Sequence, residues 1–212
     1  RIDTDQLESQ IQGDKNRGYH PICAIAVAGT TNSGAVDDLN AVAEICERHD
    51  LWYHVDAAYG GPAAKVDGVS ELFMGIEKAD SVVVNPHKWM YVPFEAGGVL
   101  VKNPEHLRKT FSTIPDYLKS DQQNGGRTDL MEYNLPLTKE CKALEVWMTL
   151  RAFGADRIRR EIARDIEKAN YLVDLVEANE KLQIMAPAPL SIVCFRCNPG
   201  GLNNQELNEL ND

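Results

Sequence analysis

Short apolar runs alternate with helical patterns over the first hundred residues, and this alternation restricts the possible folds more than any other feature. β-Strands are predicted at 22–27, 51–55, 81–84 and 97–101 because these runs are apolar and rich in β-branched residues. Helices are predicted at 37–48 and, more briefly, at 72–78. Strands that alternate with helices are typical of βαβ units. The sequence therefore predicts an α/β fold with a mostly parallel sheet and flanking helices.

Composition narrows the class of partner. The hydrophobic fraction of 43% favours a packed globular core, and the net charge of −10 argues against nucleic acid or an anionic membrane as the main partner. No apolar run reaches transmembrane length. The five cysteines are odd in number and scattered, which favours a reducing cytoplasm over a disulfide scaffold. We therefore expect a cytoplasmic protein.

Cys194 and Cys197 form a C-x-x-C pattern that allows two interpretations. The pattern is found in redox and zinc sites. Here, however, it lies in a segment predicted as a strand at 190–197, where residues three apart point to opposite faces. We favour the second interpretation and expect no metal site.

Two motifs place a reactive group at the end of an apolar run. Asp56 lies in the segment 53–61, and Lys88 follows it by 32 residues in the segment 85–89. Thr30 and Thr31 come after the first predicted strand. Alone, each residue has an ordinary interpretation, since a lysine is usually solvated and a strand-end Asp usually caps a turn. The pair is more informative, because ligands of α/β sheets bind beyond the carboxyl ends of strands.

A lysine and a carboxylate are the two protein groups that pyridoxal 5′-phosphate (PLP) chemistry needs most. A lysine amine forms a Schiff base with the aldehyde of the cofactor, and the substrate amine then displaces it. A carboxylate beside the pyridine nitrogen favours its protonated form. His87, next to Lys88, could face the phosphate or the ring. The sequence therefore predicts PLP as the cofactor.

Three motifs together resemble the group II PLP-dependent amino-acid decarboxylases, which have the fold type I (aspartate-aminotransferase-like) architecture. They are Gly29-Thr30-Thr31, the segment 54–61 (HVDAAYGG) and the segment 79–89, which ends in Asn-Pro-His-Lys-Trp. Trp89 is similar to the aromatic-amino-acid branch rather than to the glutamate branch. The resemblance implies that an L-amino acid, with an aromatic side chain, loses CO2 to give the amine through a Schiff base on Lys88.

The resemblance also assigns roles to individual residues. It implies that Lys88 carries the cofactor, that Asp56 binds the pyridine nitrogen and that Ala58 packs on one face of the ring. It implies further that Asn85 and His87 contact the phosphate, and that Thr31 lies near the cofactor or the substrate carboxylate. Tyr117, in a predicted loop at 112–128, matches the tyrosine that returns a proton after CO2 leaves. The predicted catalytic residues are therefore Lys88, Asp56, Tyr117 and His87.

Members of this family are about twice as long as this chain, so we expect a fragment. Residues 1–152 would be the second half of the PLP-binding large domain. Residues 153–180 would be a long connecting helix, and residues 181–212 would begin a small α+β C-terminal domain. The family also implies a homodimer in which the Tyr117 loop reaches the site of the partner. The fragment alone is expected to be inactive.

Two other functions fit the same residues. Fold type I also includes aminotransferases and lyases, because a fold does not fix a reaction. A non-catalytic chain is the second alternative. A panel of amino acids separates them, since a decarboxylase releases CO2, an aminotransferase needs a keto acid and a scaffold does neither.

The tyrosine assignment gives a first prediction. A phenol on a closing loop can supply the proton that the decarboxylated substrate needs at Cα, and family members with Phe at this position divert towards the aldehyde. In the full-length protein we expect Tyr117→Phe to lower the yield of amine and to raise aldehyde and hydrogen peroxide, measured by product chromatography and a peroxide assay. Amine as the sole product at an unchanged rate would show that the role is wrong.

Overall fold

The computed structural model describes residues 1–112, 130–136, 138 and 140–212. The strands are β1 Cys23–Val27, β2 Trp52–Asp56, β3 Ser81–Val84, β4 Gly98–Val101, β5 Leu182–Ile184 and β6 Phe195–Cys197. The helices are α1 Thr4–Asn16, α2 Leu39–His49, α3 Pro104–Phe111, α4 Lys142–Phe153, α5 Ala155–Glu177 and α6 Asn204–Asn211. Short 3₁₀ helices cover Gly61–Lys65, Ser70–Phe73, Ile76–Lys78 and Leu130–Tyr133.

The main sheet has the strand order β1-β2-β3-β4. β1, β2 and β3 are parallel, and β4 pairs antiparallel with β3. This confirms the predicted α/β architecture with a mostly parallel sheet. Because β1, β2 and β3 run the same way, their carboxyl ends meet at one edge of the sheet.

The core lies between the main sheet and helix α2, and it extends to residues of helix α5. Tyr53 and Val55 alternate with more accessible residues along β2 and are buried, and the Tyr53 hydroxyl donates to the Leu39 carbonyl of α2 at 2.8 Å. Ile158 and Ile162 of α5 belong to the same buried cluster. Residues of the predicted connecting helix therefore pack directly against the domain that contains the sheet. The predicted domain boundaries at 152 and 180 stay a prediction.

The helix predicted at 72–78 is wrong in type. The chain forms two 3₁₀ segments there, Ser70–Phe73 and Ile76–Lys78, and Gly75 separates them with a φ of 99°. A methyl group on Gly75 would lie 2.5 Å from the backbone nitrogen of Asn40, so the chain passes too close to α2 for a side chain. This close approach and the left-handed backbone interrupt a regular helix.

The strand predicted at 190–197 is mostly wrong, since only Phe195–Cys197 pairs, with β5. The earlier residues make tertiary contacts instead. Leu190 is fully buried in the core, and the Ser191 backbone N–H donates to the Tyr59 hydroxyl at 3.2 Å. All five cysteines are free thiols. Among the described residues, no group of three or more His, Cys, Asp or Glu side chains is arranged to hold a metal ion.

The sequence also predicts helices at 138–152 and at 203–212. The first begins at Lys142, four residues later than predicted, and the second is confirmed as α6. The helix predicted at 153–180 is confirmed as α5. Asn203 caps α6 by accepting from the Glu206 N–H at 3.1 Å. Within the described part of the chain, no helix has both the length and the apolar composition needed to cross a membrane.

A close approach at Gly60 gives a stability prediction. A methyl group there would lie 2.2 Å from the Ala28 carbonyl oxygen, whereas Gly13 in α1 has open space around it. We expect Gly60→Ala to lower the free energy of unfolding by about 1–3 kcal/mol, as overpacking does. Gly13→Ala is the control and should raise it by roughly 0.5–1 kcal/mol because it removes a helical glycine. Urea denaturation measures both, and equal effects would contradict the predicted clash.

Candidate active site

The ends of three parallel strands are level at the carboxyl edge of the sheet. Val27 of β1 is in register with Asp56 of β2, and Asp56 is in register with Val83 of β3. Beyond the strands, the Asn85 N–H donates to the Ala58 carbonyl at 3.0 Å. The turn that follows Asp56 is therefore bonded to the turn that leads to Lys88, and the sheet brings the two predicted motifs together.

Asp56 presents its carboxylate on the face of the sheet that lies opposite α2. Side chains alternate along a strand, and Val55 is buried against the α2 side while His54 and Asp56 are half-buried. The Asp56 Oδ1 atom accepts from the Ala58 N–H at 3.1 Å. This bond fixes the carboxylate at the strand end, and within the described residues its second oxygen has no hydrogen-bond partner and is available to a ligand.

A polar cluster that the sequence analysis missed lies on the same face. The Trp52 indole donates to Ser81 Oγ at 2.8 Å, and His54 Nδ1 lies 2.7 Å from the same oxygen. The Ser81 hydroxyl can accept from the indole and still share a second hydrogen bond with His54 Nδ1, in which the donor depends on the tautomer of the ring. The cluster fixes the rings of Trp52 and His54 along the strand that ends in Asp56. Trp52 and Ser81 are 29 residues apart, so sequence spacing gave no sign of this contact.

Lys88 lies in a turn that backbone hydrogen bonds hold in place. Its N–H donates to the Asn85 carbonyl at 2.9 Å, and the Val92 N–H donates to the Pro86 carbonyl at 3.2 Å. The side chain of Lys88 is exposed. Within the described residues its amine makes no hydrogen bond or ion pair, so the amine is available for reaction.

His87 is fixed by the backbone of Ala96. Its Nδ1 atom lies 2.7 Å from the Ala96 carbonyl oxygen and 3.0 Å from the Ala96 nitrogen. The ring also contacts Phe94 edge to face, with centroids 4.8 Å apart. Because Nδ1 is occupied by these contacts, Nε2 is the ring nitrogen that remains for a ligand.

The two threonines that follow β1 differ in environment: one stabilises its own turn, and the other is accessible to solvent. The Thr30 hydroxyl accepts from the Ala35 N–H at 3.1 Å and lies 3.0 Å from Ser33 Oγ, so it stabilises its own turn. Thr31 is exposed. The predicted role of Thr31 near the cofactor or the substrate carboxylate stays a prediction, and so do the phosphate contacts of Asn85 and His87.

An aromatic stack connects the motif that contains Asp56 with the motif that contains Lys88. The Tyr59 and Trp89 rings lie 4.7 Å apart and within 13° of parallel. The Tyr59 hydroxyl bonds to the Ser191 hydroxyl and accepts from the Ser191 N–H. Burial raises the pKa of Tyr59 above its usual range, and its bonds with Ser191 oppose this effect only in part. The phenol therefore remains protonated at neutral pH and acts as a structural hydrogen-bonding group.

Comparison with known proteins shows the family. Residues 1–198 match the model of the pyridoxal-dependent decarboxylase conserved domain. The chain belongs to this family. The resemblance inferred from the motifs is thereby confirmed, as are the fold type I architecture and PLP as the family's cofactor.

Individual relatives cover the whole of this chain. It is 38% identical to an aromatic-L-amino-acid decarboxylase of Bacillus atrophaeus over 100% of its own length and 44% of that protein. A crystal structure of Oryza sativa TDC with PLP and tryptamine matches 99% of the chain and 44% of that protein, with a TM-score of 0.92 and 30% identity. Catharanthus roseus tryptophan decarboxylase in complex with L-tryptophan matches 98% of the chain and 43% of that protein, with a TM-score of 0.87 and 28% identity. The chain thus spans less than half the length of these relatives.

The residues at the edge fit PLP by their chemistry. Lys88 supplies a primary amine without a partner among the described residues, which suits an aldehyde. Asp56 supplies a fixed carboxylate, and no residue in the described part of the chain bonds its second oxygen, which suits a pyridine N–H. Ala58 is small and half-buried beside them, which leaves room for a flat ring. Tyr117, the predicted proton donor, lies outside the described residues.

The stack suggests a test of how the site is supported. We expect Tyr59→Phe to lower the free energy of unfolding by about 1–3 kcal/mol, because it removes two hydrogen bonds to Ser191 and leaves those groups with fewer partners. Tyr171→Phe is the matched control, since Tyr171 is 64% exposed on α5, and it should change stability by less than about 0.5 kcal/mol. Urea denaturation measures the difference. Equal stabilities for the two variants would show that the Ser191 bonds contribute nothing.

Proposed function

We propose that the complete protein uses PLP to convert an aromatic L-amino acid into the corresponding amine and CO2. The observation that carries the proposal is the placement of Asp56 and Lys88 beyond adjacent parallel strands at one edge of the sheet. The substrate class is supported by the relatives, which include aromatic-L-amino-acid and tyrosine decarboxylases.

Each residue has a distinct task in this proposal. When bound, the cofactor withdraws electrons from the bond that breaks at Cα. The Lys88 amine would hold the cofactor through its aldehyde. The Asp56 carboxylate keeps a proton on the pyridine nitrogen, because the ion pair favours the charged form. Tyr117 gives a proton to Cα after the carboxylate has left.

We also propose that the complete protein is a homodimer in the cytoplasm. The dimer is what the resemblance to the decarboxylase family implies. Free thiols at all five cysteines support a reducing compartment.

Reduction with borohydride tests the cofactor assignment. The full-length protein is incubated with PLP, reduced and digested, and the peptide that contains Lys88 should carry the mass of a pyridoxyl group. Lys88→Ala should abolish the tag and reduce amine release to background, while Lys65→Ala, an exposed lysine, should leave both unchanged. Release of CO2 and amine without a keto acid then identifies a decarboxylase. A folded, PLP-saturated protein without a tag on Lys88 would overturn the proposal.

A second experiment tests whether the Asp56 carboxylate acts on the pyridine nitrogen. We expect Asp56→Asn to lower kcat about 10²–10³-fold, the range for loss of one preorganised electrostatic group, while the tag on Lys88 still forms. Asp67→Asn, an exposed Asp in the same connection, is the control. A kcat for Asp56→Asn within twofold of wild type would show that Asp56 does not act on the pyridine nitrogen.

A further inference from the structure

One carboxylate on α5 contacts two side chains that follow Lys88 in its turn. Asp165 Oδ2 accepts from the Trp89 indole at 3.1 Å and from the Tyr91 hydroxyl. Its other oxygen, Oδ1, accepts from Lys168 Nζ at 3.0 Å. Trp89 and Tyr91 are one and three residues beyond Lys88, so a helix distant in sequence holds the segment that carries the reactive amine.

Trp89 and Tyr91 each have a feature that requires such a contact. Trp89 is buried, with 5% of its surface exposed, and an indole N–H in such a position needs an acceptor. Tyr91 has a φ of 58°, a left-handed conformation that is unfavourable for a bulky side chain. Such a backbone persists when surrounding contacts hold it. The bond from the Tyr91 hydroxyl to Asp165 is such a contact.

The ion pair with Lys168 does not explain the position of Asp165. Lys168 is 74% exposed and one turn along the same helix, and exposed pairs of this kind contribute little. Burial acts to raise the pKa of Asp165, but the bonds from Tyr91, Lys168 and Trp89 outweigh it and lower the pKa below its usual range. Asp165 is therefore an ionised acceptor at neutral pH, and bonds to charged acceptors are stronger than neutral ones.

We propose that Asp165 is a positioning residue for Lys88: it holds Trp89 and Tyr91 and thereby fixes the turn from which the lysine amine reaches the cofactor. This inference rests on the proposed function, in which Lys88 carries PLP. Lys88 has no side-chain partner among the described residues, so the hydrogen bonds of its backbone turn are what fix the point from which its side chain extends. Loss of Asp165 should leave the amine intact but less well directed.

The first measurement does not depend on the cofactor. Hydrogen exchange is followed in the full-length protein without PLP, in the peptide that contains the Lys88, Tyr91 and Val92 amides. Asp165→Ala should speed exchange there by about tenfold, since a bond to a charged group is lost at each of two side chains. Asp165→Asn retains one acceptor oxygen, so its exchange in this peptide should be much closer to wild type than that of Asp165→Ala. Glu167→Ala, an exposed residue of the same helix, is the control.

The second measurement uses the cofactor. Asp165→Ala should raise the Kd for PLP and lower kcat, each about tenfold, with the KM for substrate within twofold of wild type. The fraction of Lys88 tagged by borohydride at limiting PLP should fall in parallel. The double variant Trp89→Phe, Tyr91→Phe keeps an aromatic ring at each position and removes both donors. It should reproduce these changes, and adding Asp165→Ala to it should change nothing more.

The outcomes separate this inference from the proposed function. Unchanged exchange and unchanged PLP affinity in Asp165→Ala would overturn the role of Asp165. So would a full effect of Asp165→Ala in the background that lacks both donors, because the carboxylate would then act through other groups. If the wild-type protein forms no adduct on Lys88, the proposed function fails and with it the assignment of Asp165 to Lys88. In that case faster exchange would report a structural contact alone.

Discussion

Parallel pairing of β2 with both of its neighbours is the constraint on which the site depends. The register places Val27, Asp56 and Val83 side by side, so every turn that leaves these strands begins at the same edge. A slip of one residue would turn Asp56 to the α2 face and bring Val55 to the site. The buried alternation of Tyr53 and Val55 prevents this slip, because both side chains are needed in the core. The packing of the core thus determines where the carboxylate lies.

Above the strands, aromatic contacts connect the turns. Tyr59, three residues after Asp56, stacks on Trp89, one residue after Lys88. Each ring is also bonded to a more distant segment, Tyr59 to Ser191 and Trp89 to Asp165. The reactive residues themselves make few side-chain contacts, which leaves them free for a ligand. The contacts of the neighbouring residues Tyr59 and Trp89 hold the two turns in place. A preorganised site requires such fixed surroundings.

Much of this arrangement was predictable from the sequence, and the exceptions have physical reasons. Asp56 and Lys88 each follow an apolar run in the sequence, and the structure brings their two motifs together at one edge of the sheet, while their cofactor roles stay a prediction. The segment 190–197 is predicted as a strand from its apolar residues. In the structure, however, Leu190 is buried in the core and the Ser191 N–H donates to the Tyr59 hydroxyl. Asp165 was not singled out, because one carboxylate among the charges of an amphipathic helix has no local signature. The roles of these residues depend on contacts between segments that are distant in sequence, and hydrophobic periodicity does not predict such contacts.

The long separation of these contacts has a consequence for biosynthesis. The bond between Trp89 and Asp165 spans 76 residues, and the bond between Tyr59 and Ser191 spans 132. Lys88 therefore leaves the ribosome well before the groups that hold its turn have been made. Domains fold as units once their segments are available, so the lysine turn takes its final form only after α5 and the segment beyond it have emerged. A nascent chain stalled before Asp165 would contain Lys88 but not the carboxylate that contacts Trp89 and Tyr91 in its turn.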